Sequence, residues 1–254
     1  MLKLPSNYIP YKFKEGDLEL KEMTGRELAL MSKAVVSDEV EYAIEAMGNL
    51  INLPDINEIT IPDFYFLMLK ARYMSIPSKP AAIWTCEGEM YKDVSNGVEY
   101  NRMQLEAMVK AFEKDPENNK NPEDVKVESV ICGEENQQEV NFDDFPVAYL
   151  DEDVELVEAM DFPRVRLLPS LLIALAEPEY CLTAQAAQWM REGATVQDKL
   201  DLLRDAPISV YDKLAKVAQE NHYGIVQTVT KTCLRCGTKQ NHVFNITPDM
   251  FFRI

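Results

Sequence analysis

Apolar and polar positions alternate along residues 8–13 and again along 18–23, around Glu15-Gly16-Asp17, and this period of two predicts an N-terminal β-hairpin. The period then becomes helical. Thr24-Gly25-Arg26-Glu27 has the spacing of a capping box, in which the Thr hydroxyl accepts an early amide and Glu27 reaches back, so a helix is expected to about Val35. After Ser37, the positions Val40, Ile44, Met47 and Ile51, widened by Ala43 and Leu50, form the stripe of a second amphipathic helix. Thr60-Ile61-Pro62-Asp63 opens a third: Thr can cap, Pro is tolerated in the first turn, and Asp complements the helix dipole. Residues 64–69 are apolar almost all round, which places this helix in the core and ends it before Ser75-Ile76-Pro77.

The next apolar run, 81–84, reads as a strand leading to Cys86. Residues 101–114 carry Met103, Leu105, Met108, Val109 and Phe112 at helical spacing, while 115–124 is polar, contains Pro116 and Pro122, and predicts an exposed loop. A second helical block follows. It comprises 178–191 ending near Gly193, 196–203 behind a Thr195 cap, and 210–221 behind a Ser209 cap and closed by Gly224. Residues 225–232 then form a strand into Cys233. The order helix, break, strand, cysteine thus occurs over 63–86 and again over 212–233, a weak internal duplication.

Cysteine placement carries the chemistry. Cys233-Leu234-Arg235-Cys236-Gly237 can grip one ion with two thiolates, the glycine permitting the tight turn. Cys86 and Cys132-Gly133 supply a matching pair split by an insertion. The residues downstream also correspond, Val140-Asn141-Phe142 against Phe244-Asn245-Ile246. The pattern predicts a structural Zn²⁺ held by Cys86, Cys132, Cys233 and Cys236 in a zinc ribbon whose first knuckle is interrupted. A thiol redox pair would open a helix, whereas the flanks of Cys233 are β-prone; Cys233 and Cys236 with His242 and one further ligand is the other metal arrangement. Cys181 reads as a small buried apolar residue. The expected fold is α+β: helical blocks around a split zinc-ribbon-like β module, with the N-terminal β-hairpin. Its segments are 1–89 (hairpin, helices, first ribbon strand), 90–128 (insertion), 129–145 (remainder of the first knuckle), 146–224 (second helical block) and 225–254 (C-terminal ribbon half).

Composition narrows the function. The 254 residues are 46% hydrophobic, enough for a substantial core. The start lacks the basic and apolar character of a signal peptide, and no apolar run reaches membrane-spanning length, so a soluble, intracellularly made protein is expected, without membrane insertion. A net charge of −17 repels phosphate backbones and argues against direct nucleic-acid binding. With His222 and His242 as the histidines, imidazole acid–base chemistry has few candidates. The run Asp143, Asp144, Asp151, Glu152 and Asp153 could imitate a hydrolase site, but a like-charge stretch reads first as a solvated loop. There is no phosphate-cradling glycine loop and no His-Glu-x-x-His motif.

The stretch from Leu4-Pro5-Ser6 through Met23-Thr24-Gly25-Arg26-Glu27 to Ile61-Pro62-Asp63-Phe64-Tyr65-Phe66-Leu67-Met68-Leu69-Lys70-Ala71-Arg72 resembles the baseplate hub assembly proteins of T-even-like tailed phages. In that family a "TGRE"-like helix start and a "D-x-x-x-L-x-x-x-x-R"-like helix lead into a cysteine-bearing β region. The tail 233–252 resembles the family's cysteine-bearing end. The long interruption between Cys86 and Cys132 departs from its compact pattern. The resemblance implies a non-enzymatic baseplate component or assembly factor, assembled in the host cytoplasm and sited in the virion tail baseplate. Its partners would be other tail-hub proteins, with homo-oligomerisation also compatible. No catalytic group is carried over. A cytosolic zinc-stabilised adaptor and, more remotely, a wall-degrading tail enzyme are the alternatives. The expected contact elements are the insertion, residues 163–175 and the terminal 250–254.

Overall fold

The computed structural model describes residues 2–11, 18–117, 126–154, 156, 159–177 and 180–252, with 181 and 182 described by their backbone. Its helices are α1 (Gly25–Ser37), α2 (Glu41–Leu50), α3 (Ile61–Ser75), α4 (Arg102–Lys114), α5 (Leu168–Ala176), α6 (Cys181–Ala187), α7 (Val196–Arg204) and α8 (Ile208–Glu220). Its strands are β1 (Ala81–Thr85), β2 (Glu89–Asp93), β3 (Glu99–Tyr100), β4 (Val127–Ile131), β5 (Glu135–Glu139), β6 (Val147–Ala148), β7 (Gly224–Ile225), β8 (Thr228–Thr232) and β9 (Lys239–Val243). The architecture is α+β with small antiparallel sheets, in two units that are each discontinuous in sequence. The first is Met1–Ser78, Phe145–Gln227 and Asn245–Ile254; the second is Lys79–Asp144 and Thr228–Phe244.

In the first unit the expected capping box forms: the Thr24 side chain accepts an early amide of α1, and Glu27 accepts from the Thr24 backbone. α1 lies against α2, burying Met31 and Ala34 on one side and Ala43, Ala46, Met47 and Leu50 on the other. α3 is the central helix, with Phe64, Leu67, Met68 and Ala71 fully buried. Arg72 near its C-terminal end is also buried, and it satisfies three carbonyls: Met250 from Nε (2.9 Å), Ile76 from Nη1 (3.0 Å) and Ser78 from Nη2 (2.7 Å). That fork ties the 3₁₀ turn Pro248–Phe251 to α3, and Phe251 is docked as core. A second cluster, containing Met160, Phe162, Trp189, Leu214 and Tyr223, holds the later helices.

Several expectations are corrected in this unit. Residues 8–11 lie in turns, Asn7 and Tyr8 have φ of 53° and 64°, and Leu20 bridges to Ile51, so the described residues do not form the N-terminal hairpin. Tyr11 is instead committed to the core, donating to Asp63 at 2.8 Å; residues 12–17 lie outside the described residues. The apolar segment 163–175 leads into and overlaps α5, which periodicity does not mark because it is apolar nearly all round. The helix expected over 178–191 is the shorter α6, and 178–179 lie outside the described residues. Ser209 sits inside α8, which starts after Pro207. Gly224 belongs to β7 rather than a helix end; its φ of 112° and its approach to Pro62, whose Cβ would stand 2.8 Å from an added Cβ, both demand glycine.

The second unit is small and largely β. β1 pairs with β5 and β8 with β9, while β2 is flanked by β3 and β4. The first two pairs contact one another: Gln138 donates to the Thr232 carbonyl at 2.8 Å, and the Trp84 and His242 rings lie 4.5 Å apart. α4 carries an Asn101–Gln104 capping box but buries none of its side chains. Most of the loop expected over 115–124 lies outside the described residues, as does the side chain of Cys181.

Candidate metal centre

Both cysteine pairs are built by the same local geometry. β1 ends at Thr85, opposite Glu135, and β8 ends at Thr232, opposite Lys239. Each strand therefore delivers a cysteine one residue past its end, and each return strand begins three residues after the other cysteine. The Cys86 amide donates to the Glu134 carbonyl at 2.8 Å, and the Gly133 amide returns a bond to the Cys86 carbonyl at 3.0 Å. In the second pair the Cys233 amide donates to Thr238 at 2.9 Å, and Gly237 returns a bond to Cys233 at 3.0 Å. Gly133 and Gly237 occupy the left-handed region, at φ of 63° and 76°, as the tight turn requires. The insertion fits between Cys86 and Cys132 without disturbing this match, because β2 and β4 pair antiparallel and bring its two ends together.

These turns bring Cys86, Cys132, Cys233 and Cys236 to one point. Their sulfur atoms all lie within 4.8 Å of one another, with Cys86–Cys236 at 3.4 Å and Cys132–Cys233 at 3.9 Å. A tetrahedral thiolate shell with bonds of about 2.3 Å has sulfur–sulfur edges of about 3.8 Å, so the donor set fits a metal ion. The thiols are free and buried. With Met90 and the partly buried Val130 they form an apolar cluster of this unit, beside the buried Ala82, Val140 and Val229.

The electrostatics suit thiolates in part and a cation in full. Gly88 and Thr238 amides point at the sulfurs of Cys86 and Cys236, at 3.3 and 3.5 Å. Burial pushes the Cys86 thiol up to about 12, the Gly88 amide opposing it, and burial likewise raises Cys132. Burial also opposes ionisation of Cys233, but the Cys236 and Arg235 amides and the Asn136 side chain outweigh it and lower the thiol to about 6. Four thiolates at this spacing repel one another, and a divalent ion is the group that makes their joint ionisation favourable.

Supporting residues hold the ligands. Asn136 Nδ2 lies 3.5 Å from the Cys233 sulfur while its Oδ1 accepts from the Leu234 amide at 3.3 Å. Arg235 donates to the Cys132 carbonyl at 3.0 Å and pairs with Glu99. A Cβ on Gly88 would stand 2.7 Å from Thr238 Cβ and 2.9 Å from the Cys236 sulfur, so the two knuckles close on each other there. None of these was singled out from sequence. Asn136 lies in the polar run 134–139, where only the strand pairing distinguishes it from its neighbours.

The other candidates separate from this site. His242 stacks on Trp84 and is not among the clustered ligand atoms; burial and then Lys231 lower its pKa. Asp144 accepts from Lys231 at 2.6 Å and from the Asn141 amide at 2.7 Å, while Asp151, Glu152 and Asp153 are exposed. Asp63 and Arg72, the polar residues of the α3 motif, are buried in the first unit and bonded to main chain and side chains around them. Comparison with protein-family models, curated proteins and solved structures finds no match to this chain.

Proposed function

We propose that this protein is a non-enzymatic scaffold stapled by structural zinc, acting in the central hub of a tailed-phage baseplate as a component or assembly factor. The observation that carries the zinc reading is the closed four-sulfur cluster. Four protein ligands leave no open position for a substrate or an activated water, which is the signature of a structural rather than a catalytic site. Zinc in a ribbon of two knuckles is the ion that best suits buried, redox-silent thiolates supported by backbone amides. It joins segments 79–144 and 228–244, in which Ala82, Met90, Val140 and Val229 are also buried.

The tail-hub assignment rests on the sequence resemblance, and the net charge of −17 suits protein rather than nucleic-acid partners. Contacts to other hub proteins are the proposed activity, in the virion tail baseplate after assembly in the host cytoplasm. A phage with an early stop codon in this gene is expected to make heads and tail precursors but no complete baseplates, and purified protein should restore assembly in extract. Normal tails with a defect confined to wall digestion would refute the assignment and favour an enzyme.

A further inference from the structure

Two sulfur–sulfur contacts of the cluster run from one knuckle to the other, Cys86 to Cys236 at 3.4 Å and Cys132 to Cys233 at 3.9 Å. Each joins segment 79–144 to segment 228–244, across 150 and 101 residues of chain. A disulfide holds its sulfurs at about 2.05 Å, so closing the shorter contact asks for a shift of about 1.4 Å. The four cysteines differ in access to solvent: Cys86 is 0% exposed, Cys233 1%, Cys132 4% and Cys236 7%. The most accessible of them is thus one half of the shorter contact.

We propose that the cluster is an oxidative modification site whose oxidant is hydrogen peroxide, with Cys236 the sulfur attacked first and Cys86 the sulfur that resolves it. The inference rests on the zinc reading above, because a bound metal keeps all four sulfurs as thiolates and leaves access and contact, rather than ionisation, to select the pair. Thiolates that are silent in the resting protein are still open to a strong two-electron oxidant. The Cys236 thiolate attacks one peroxide oxygen, the O–O bond breaks, and Cys236 becomes a sulfenic acid as hydroxide leaves. The Cys86 thiolate then attacks the Cys236 sulfur, the S–S bond forms, and the sulfenic oxygen leaves as a second hydroxide. Two thiolates have lost two electrons, and one peroxide has taken them up. Deprived of two of its four donors, the site releases its ion, and a second peroxide joins Cys132 to Cys233 by the same steps. Oxidation of the folded chain therefore replaces the metal tie with covalent ties between the same two segments. An open chain would pair otherwise, since loop closure favours near neighbours and Cys233 and Cys236 are three positions apart.

The test treats the full-length, zinc-loaded chain with one and then two molar equivalents of hydrogen peroxide. Remaining thiols are alkylated, cross-linked peptides are mapped by mass spectrometry without reduction, and a chromophoric chelator added to an aliquot reports the zinc set free. One equivalent should give Cys86–Cys236 as the main cross-link together with zinc release, and the second should add Cys132–Cys233. The same chain stripped of metal before oxidation should instead favour Cys233–Cys236 by at least about tenfold over either pair between the knuckles. Cys233–Cys236 as the main product of the zinc-loaded chain, a sulfinic acid at Cys236 without a cross-link, or thiols left reduced under excess peroxide would overturn the proposal. Zinc content measured before the oxidant is added tests the metal reading by itself, so its failure is distinct from failure of the cross-link map.

Discussion

The Cys86 and Cys236 sulfurs lie 3.4 Å apart although 150 residues separate them in the chain. No local turn accounts for that proximity. It follows from two matched strand ends, each aimed by its own antiparallel pair, and it makes the cluster a tie between distant segments. Thiols at this spacing without a counter-charge form a poor core, since burial opposes the ionisation that mutual proximity also penalises. Structural zinc stabilises isolated finger peptides by about 10–16 kcal/mol, more than the whole stability of most small domains. Removing metal with a chelator should therefore unfold the second unit while α1 to α3 keep their helical signal. Hydrogen exchange would show fast exchange over β1, β5, β8 and β9 and continued protection in α3.

Gly88 provides a finer test of the same closure. Gly88→Ala should lower metal affinity, because its Cβ would push on Thr238 and on the Cys236 sulfur, and Thr238→Gly should restore part of it. Gly25→Ala meets nothing within 4 Å and should leave metal affinity unchanged. Competition against a chromophoric chelator reads the affinity of all three variants.

Arg72 offers a stability prediction in the first unit. Arg72→Met keeps the aliphatic stem but leaves the part-buried carbonyls of Ile76, Ser78 and Met250 without the guanidinium. Because these acceptors are half-buried and water can replace part of what is lost, a total loss of about 1–3 kcal/mol is expected. Urea denaturation followed through the helical signal measures it, and the 3₁₀ turn at 248–251 should become accessible to protease first.

Asp63 predicts a pH effect of unusual sign. Burial raises its pKa despite bonds from the Ser6 amide, the Tyr11 hydroxyl and the Thr60 hydroxyl. A carboxyl with a raised folded-state pKa contributes stability that is full below its unfolded value, about 3.9, and is lost as pH rises through the folded value. Asp63→Asn should remove this contribution's pH dependence, so parent and variant stabilities should diverge in the parent's disfavour as pH rises from the ordinary carboxylate range. A stability difference independent of pH would mean that Asp63 titrates normally.

Much of this was legible in sequence where local chemistry decides the outcome. The Thr24 and Thr60 caps, the buried face of α3 and the four clustered cysteines follow from hydroxyl placement, periodicity and the repeated Cys-Gly turn. Where distant partners decide, local pattern misled. The alternation of residues 8–13 suggests a strand, but over the described part, 8–11, Tyr11 finds Asp63 and Thr60, and the backbone turns to deliver it. α5 shows no amphipathic stripe because its exposed positions, Leu172 and Ile173, are apolar like the buried Leu168, Leu171 and Ala174, so its helical character emerges only with its neighbours. Asn136 gains its role through the register that sets it opposite Trp84.

The most direct measurement is metal content joined to cobalt substitution. The purified chain should carry one zinc, and replacing it with Co²⁺ should give the intense absorption of a tetrahedral four-thiolate site, lost in Cys86→Ser and Cys236→Ser alike. A metal-free wild type whose second unit stays folded in chelator, or a cobalt spectrum unchanged by Cys86→Ser, would contradict the account.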